Sequence, residues 1–300
     1  AYNSTNNTVN IGETVVYKNI TLTITEIMPY AFYDNDDIKE VYVKHNGNIQ
    51  DWAFSYCDGI QTVDVSNQGY IGYYAFCCCG IQNIKASNQG YIGGCAFMSS
   101  VGMQSIEISN LGDIGYSAFD GCSGDQTIIK ISNQGNIGDC AFEGYTGMKS
   151  VHISNQGNIG VQAFNNCKDL QTATIENTGR ISNSAFYLCS ALETATLGNN
   201  VTEIYDEVFG YCTSLQSIVI PNSVTFLGSW CFGECTAMKS ASIGTGLTTL
   251  EILTFYNCKE LKTVKLGENI TSIKSQAFDG CKKLAEINLS EVTKSIGDYA

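Results

Sequence analysis

The chain has 300 residues and a mass of 32.5 kDa, with 16 Lys plus Arg against 29 Asp plus Glu, a formal net charge of −13. Such an acidic chain lacks the basic face that displaces counterions from nucleic-acid phosphates, so no nucleic-acid partner is expected. No apolar run approaches the ~20 residues of a membrane span, and two histidines, His45 and His152, leave little for acid–base or metal chemistry.

Residues 1–24 carry no repeat signature but hold two apolar stretches, VVY at 15–17 and LTI at 22–24. They are expected to form an N-terminal cap. From residue 25 a small residue followed by Phe recurs, with Phe at 32, 54, 76, 97, 119, 142, 164, 186, 209, 232, 255 and 278. The interval is 21 to 23 residues throughout. Self-similarity at such a period marks a solenoid, because a unit this short cannot bury its own apolar face and must stack on copies of itself.

Within each unit the order is constant. Three residues after Phe stands Cys in nine copies (Cys57, Cys79, Cys122, Cys167, Cys189, Cys212, Cys235, Cys258, Cys281). About six residues after Phe comes an aliphatic residue such as Ile60, Leu170, Leu215 or Leu261. An alternating segment follows, for example TVDVS at 62–66, SIEIS at 105–109 and SIVIP at 217–221. Apolar–polar alternation predicts a strand with one buried face. A turn and an aliphatic residue five before the next Phe (Ile71, Ile92, Ile114) complete the unit. In the earlier copies the turn carries Asn67, Asn88, Asn110, Asn133, Asn155 and Asn177, expected to bond turn backbone as a ladder. The Gly two residues later (Gly69, Gly90, Gly112, Gly135, Gly157, Gly179) is expected to take a positive φ. The chain stops at Ala300, where the Ala of another Ala–Phe pair would stand, so 25–300 reads as a solenoid cut within a thirteenth repeat.

The pattern I-x-x-x-A-F-x-x-C-x-x-L-x-x-[IV]-x-[IL] resembles the BspA-like leucine-rich repeat family. The resemblance implies a repeat solenoid: a right-handed superhelix with one continuous parallel β-sheet, about twelve rungs of 22–23 residues, and little α-helix. It further implies a non-enzymatic adhesion or recognition module at the cell surface or secreted. Its partner would be a host extracellular-matrix or cell-surface protein, or a glycan. The competing reading is a structural scaffold that binds peptides.

Chemistry-bearing patterns are missing. There is no G-x-x-x-x-G-K-[ST], H-E-x-x-H or G-x-S-x-G, so no catalytic, cofactor or metal residue is assigned. The cysteine column reads as free buried thiols, since Cys is a small apolar core residue. Cys77 and Cys78 are the exception, being candidates for exposed, reactive thiols or a soft-metal site. Binding is expected on the outward face of the sheet, where Tyr42, Asp64, Lys85, Glu107, Lys130 and His152 occupy one column. A second aromatic patch is expected at Tyr70 and Tyr91, which share one turn position in neighbouring repeats. N-glycosylation signals stand at Asn3, Asn6, Asn19, Asn200 and Asn269.

Overall fold

The computed structural model describes residues 7–300 and is a parallel β-solenoid of about twelve turns, with no helix among the described residues. The N-glycosylation signals at Asn3 and Asn6, and the first six residues of the expected cap, lie outside the described residues. Two compact units are present, Ala1–Met148 and Lys149–Ala300.

In the first unit the parallel sheet runs Thr8–Ile11, Glu40–Val43, Thr62–Val65, Asn83–Ala86, Val101–Ile108, Ser123–Asn133. The strands pair in repeat register, with Val41 on Val63, Ile84 on Val63 and Ile106 on Ile84. Residues 8–11 are therefore a sheet strand. The following Thr14–Tyr17 and Ile20–Thr23 form an exposed antiparallel hairpin. In the second unit the sheet contains Thr172–Ile175, Thr194–Leu197, Ser217–Ile220, Ser240–Ile243 and Thr263–Lys265, preceded by Thr146–Asn155. Strands Val101–Ile108, Ser123–Asn133 and Thr146–Asn155 are twice the usual length or more. In these rungs a Gly (Gly102, Gly124, Gly147) replaces the tight turn seen after Cys57 or Cys167 and lets the chain stay extended. The aliphatic residues five before Phe build a second, narrower parallel ladder through Ile49, Ile71, Ile92, Ile114 and Ile137 in the first unit.

The core is set by stacking. Phe32, Phe54, Phe76, Phe97, Phe119 and Phe142 form one column with centroids 4.7–5.3 Å apart and planes within 8°. Phe164 to Phe278 form another, at 5.0–5.6 Å. These separations track the ~4.8 Å between paired strands, so one ring per rung fills the interior without a gap. From Ala53 onward the small residue before each Phe, Ala in most rungs and Val208, Cys231 or Thr254 in three, is fully buried as well.

The Phe segment turns the chain with a regular backbone device. The residues two before and two after Phe lie in the left-handed region in every described copy. Examples are Trp52 (φ 61°) and Tyr56 (φ 59°), Ser117 (φ 49°) and Gly121 (φ 63°), Glu207 (φ 60°) and Tyr211 (φ 57°). The reason lies in the hydrogen bonds. The amides of Trp52, Phe54 and Tyr56 donate to the carbonyls of Tyr73, Ala75 and Cys77 in the next rung, at 3.0, 2.8 and 2.9 Å. Reversing φ at these two positions, one on either side of Phe, accompanies three alternate N–H groups that point along the solenoid axis, so the turn leaves none of them unpaired. The cost for a side chain with Cβ is roughly 1–2 kcal/mol per residue.

The turn glycines behave differently from the sequence expectation. Gly69, Gly90, Gly112, Gly135 and Gly179 do not have positive φ. They are needed for space: a Cβ on Gly90 would stand 2.6 Å from the carbonyl oxygen of Gly69, and one on Gly112 2.7 Å from that of Gly90. The Asn ladder has the expected partners. Asn88 Nδ2 donates to the carbonyls of Gly90 (3.0 Å) and Tyr91 (3.3 Å), and Asn177 Nδ2 to that of Gly179 (2.7 Å). His45 takes the ladder position one rung before Asn67. It is buried, its Nδ1 accepts from the Gly47 amide at 2.8 Å, and its Nε2 has no partner.

Two tests follow from these positions. Gly144 has open space around it but a φ of 63°, so Gly144→Val is expected to destabilise by about 1–2 kcal/mol through backbone alone. Ser99 (φ 56°) has the same place in its rung, and Ser99→Gly is expected to leave stability within about 1 kcal/mol of the parent. Equal urea midpoints for the two variants would refute this account. Burial holds the pKa of His45 below its usual 6.5. The unfolded chain therefore binds the proton first, and the stabilisation present above pH 6.5 is lost as pH falls below it. Melts at about pH 7.5 and 5.5 should show a smaller drop for His45→Asn than for the parent.

Candidate functional site

In the first unit the outward side chains of the sheet line a groove of about 460 Å³. Its central column is Tyr42, Asp64, Lys85, Glu107 and Lys130, each directly opposite the next in the strand register. The alternation of the strands places them: the residues on either side, such as Val63 and Val65, face the core, so the residue between must face out. Tyr42 and Asp64 are half-buried, and Lys85, Glu107 and Lys130 are exposed. Charge alternates in sign from Asp64 to Lys130. Lys130 Nζ lies 3.8 Å from Glu107 Oε1, with both side chains about 60% exposed (63% and 59%). An exposed pair of this kind contributes on the order of 0–1 kcal/mol, so these charges are cheaply redirected to a ligand.

His152 belongs to the second unit, where its Nε2 lies 3.9 Å from Glu176 Oε2. The structure thus brings together five of the six expected sheet-face residues. The same strand position within the second unit holds the uncharged Thr174, Thr196, Val219 and Ser242, then Lys265.

The sequence reading followed one outward column and missed a second. Thr62, Asn83, Ser105 and Ile128 stand opposite one another two residues earlier and form the other wall of the groove. Ser105 Oγ and Asn83 Oδ1 are 2.8 Å apart. Ile128 is 52% exposed at a position otherwise polar in this unit. The signal was legible: Ile128 and Ile129 are consecutive, and in a strand only one of two neighbours can face the core.

Tyr70 and Tyr91 stack on each other, 4.7 Å between centroids and 7° between planes. Tyr70 is half-buried, and its hydroxyl bonds Gln50 Oε1 at 2.8 Å. Tyr73 and Tyr116 extend the patch, with centroids 6.2 Å apart, both exposed.

All fourteen cysteines are free, eleven of them buried. The column thiols have a role that the sequence did not reveal: Cys57, Cys79, Cys122, Cys189, Cys212, Cys235, Cys258 and Cys281 donate to the carbonyl of the Phe one rung back, as Cys57 to Phe32 (3.0 Å), Cys122 to Phe97 (3.0 Å) and Cys212 to Phe186 (3.3 Å). Ser100 makes the same bond to Phe76 at 3.2 Å, which is why Ser is accepted there. Burial pushes the Cys57 thiol up to about 11 and also raises Cys122 and Cys212, so these three stay protonated at neutral pH, whereas the hydrogen bond with Cys258 lowers the Cys281 thiol. Cys77 is buried and its pKa raised, chiefly by burial; only Cys78 of this pair is part-exposed, with the two sulfurs 3.1 Å apart. No group of three or more metal-ligating side chains occurs among the described residues.

Family models match the BspA type leucine rich repeat region over residues 6–77, 69–193 and 179–300, in six copies. The chain belongs to this family. Repeats of this family are typically non-catalytic. Among solved structures, the chain is similar to a leucine-rich repeat protein of T. pallidum (23% identity, 61% of this chain and 82% of that one, TM-score 0.46). It is also similar to one of Eubacterium ventriosum (18%, 92% and 87%, 0.43) and to a leucine-rich cell surface protein of Faecalibacterium prausnitzii (18%, 87% and 87%, 0.38). No curated protein matches the chain in sequence. No helix among the described residues is long and apolar enough to cross a membrane.

The thiol column yields a test. Cys212→Ala removes the side-chain donor to the Phe186 carbonyl, which keeps the Cys189 amide at 3.3 Å, and is expected to destabilise by about 0.5–1.5 kcal/mol. Cys212→Ser, which restores the arrangement of Ser100, should recover at least half of that loss in a urea titration. A serine variant as unstable as the alanine one would show that the thiol acts by packing alone.

Proposed function

We propose that this chain is a non-enzymatic recognition and adhesion module of a bacterial cell surface, binding a host matrix or cell-surface protein through the sheet face of its first unit. The observation that carries the reading is the groove of about 460 Å³ with its column of alternating charge. Asp64 and Glu107 balance Lys85 and Lys130, so the column has no net charge. A uniformly anionic glycan would meet repulsion at every second rung. A polypeptide, which carries both signs and apolar groups, can match the alternation and cover Ile128. The usual place of BspA-type repeats on bacterial surfaces supports the location.

Binding to immobilised matrix proteins and to a glycan panel, measured beside Lys85→Gln/Lys130→Gln and Ile128→Ser variants, tests this. A matrix-protein hit should weaken by about tenfold or more in either variant, equivalent to ~1.4 kcal/mol, with circular dichroism unchanged. Because the column is neutral overall, the parent's affinity should vary little with salt. A hit untouched by both variants but abolished by Tyr70→Ala/Tyr91→Ala would move the site to the turn patch. A protein that binds only sulfated glycans would overturn the reading.

A further inference from the structure

At the Phe-turn side of the first three rungs the structure gathers a surface that the fold does not require. Tyr30, Trp52 and Tyr74 occupy the position two before Phe in successive rungs. Their rings lie nearly parallel, with centroids 6.3 Å (9°) and 4.3 Å (10°) apart. Tyr33 and Tyr56 form a second row beside them: Tyr33 meets Tyr30 and Tyr56 edge-on, at 5.5 Å each. Tyr30, Tyr33 and Tyr56 are 59%, 42% and 43% exposed. Several other rungs fill the same positions with small polar residues, Ser117 and Ser184 two before Phe and Asn166 and Asn257 two after, with the same left-handed backbone, while Trp230 and Tyr211 repeat the aromatic choice in the second unit. The aromatics are thus not a requirement of the turn. Beside them stand the exposed carboxylates of Asp34, Asp36, Asp37 and Asp58, faced by the single ammonium of Lys39.

We propose that this aromatic ridge binds a proline-rich segment in the polyproline II conformation, flanked by lysine or arginine. Three features of the surface select that ligand. The first is spacing. A polyproline II helix repeats every three residues, about 9.3 Å, and two rungs of the solenoid advance about 9.6 Å. One face of such a helix laid along the axis would meet Tyr30 and Tyr74 with residues one turn apart. The second is exposure. The rings of the Tyr30–Trp52–Tyr74 row cover one another's faces and offer their edges, which form ridges for proline rings to pack against. A sugar ring needs a bare aromatic face to stack on. The third is polarity. Phenol and indole groups donate hydrogen bonds, proline-rich backbone offers carbonyl acceptors and few N–H groups, and the carboxylates at the border attract flanking basic residues. This surface is separate from the sheet groove, and its test does not depend on that one.

The experiment uses fluorescence polarisation with the whole chain. The probe is a labelled peptide of nine consecutive prolines with two lysines at each end. A glycine–serine peptide with the same lysines and a cello-oligosaccharide are the comparison ligands. The proline peptide should bind about tenfold or more tightly than the glycine–serine peptide. Trp52→Ser/Tyr56→Asn, which places residues found elsewhere in the same repeat positions, should weaken it about tenfold or more. Asp34→Asn/Asp37→Asn should lower affinity and flatten its salt dependence, and Lys85→Gln/Lys130→Gln should change nothing. Should the aromatic double variant lose its far-ultraviolet signature, Tyr33→Ser, matching Ser55 one rung later, takes its place. Equal binding of the two peptides would reduce the attraction to charge and overturn the proposal. So would unchanged affinity in the folded aromatic variants, binding of the oligosaccharide in place of the peptide, or a sedimentation shift showing that the ridge pairs with a second copy of the chain.

Discussion

The separation between neighbouring rungs is the constraint on which the rest of this structure depends. Parallel strands pair ~4.8 Å apart, and every side chain that repeats must fit beside its own copy at that distance. Phe does so as a parallel stack, with centroids 4.7–5.3 Å apart in the first unit. Asn does so by bonding its own turn, and Cys by donating to a carbonyl one rung back. Glycine is used where even a Cβ is too much, as at Gly90. The repeat consensus is the set of side chains that tolerate contact with themselves.

The same constraint explains an apparent extravagance in the backbone. Two left-handed residues per rung, most of them not glycine, represent a cost of some 1–2 kcal/mol each. The alternative is worse in a buried turn: N–H groups pointing sideways would find no partner, and each unpaired group costs a comparable or larger amount. With φ reversed at the two flanking positions, the amides two before Phe, at Phe and two after Phe reach the next rung. The strain is local, while the bonds it permits couple each rung to the next, as expected where stability is a sum of nearest-neighbour terms.

The fold was legible in the sequence because its signal is repeated twelve times. The Phe interval, the alternating strand and the recurring aliphatic position of Ile71 and Ile92 could all be read from spacing, though not that the last of these pairs as a second ladder. What spacing cannot convey is the sign of a dihedral angle or the atom that accepts a hydrogen bond. Gly69 and its successors were expected to be left-handed, because that is the commonest reason for a turn glycine. Here the reason is the approach of the preceding rung. The left-handed residues include Gly and Asn in some rungs, but most are types such as Trp, Tyr, Ser, Glu and Leu, which carry no such signal. The sheet-face column from Tyr42 to Lys130 was legible from alternation. The role of Ile128 was obscured because the strand Ser123–Asn133 lengthens and departs from the consensus.

A repeat protein supplies its own internal comparison, and this guides the search for function more firmly than exposure does. A residue that recurs at its position in most rungs is accounted for by the stack, however exposed or chemically suggestive it is; the thiol column is the clearest instance. A residue that departs from its column while other rungs keep a plainer occupant has no such account. Lys85 and Lys130 stand at a strand position that in the second unit holds Thr174, Thr196, Val219 and Ser242 before Lys265, and Trp52 and Tyr56 stand where several rungs place serine or asparagine and the second unit repeats Trp230 and Tyr211. The first unit gathers such departures on two faces, one charged and lining a groove, the other aromatic and bordered by carboxylates. The turn needs neither, so both are surplus to folding, and surplus of this kind on a scaffold with no catalytic pattern is best explained by recognition of a partner.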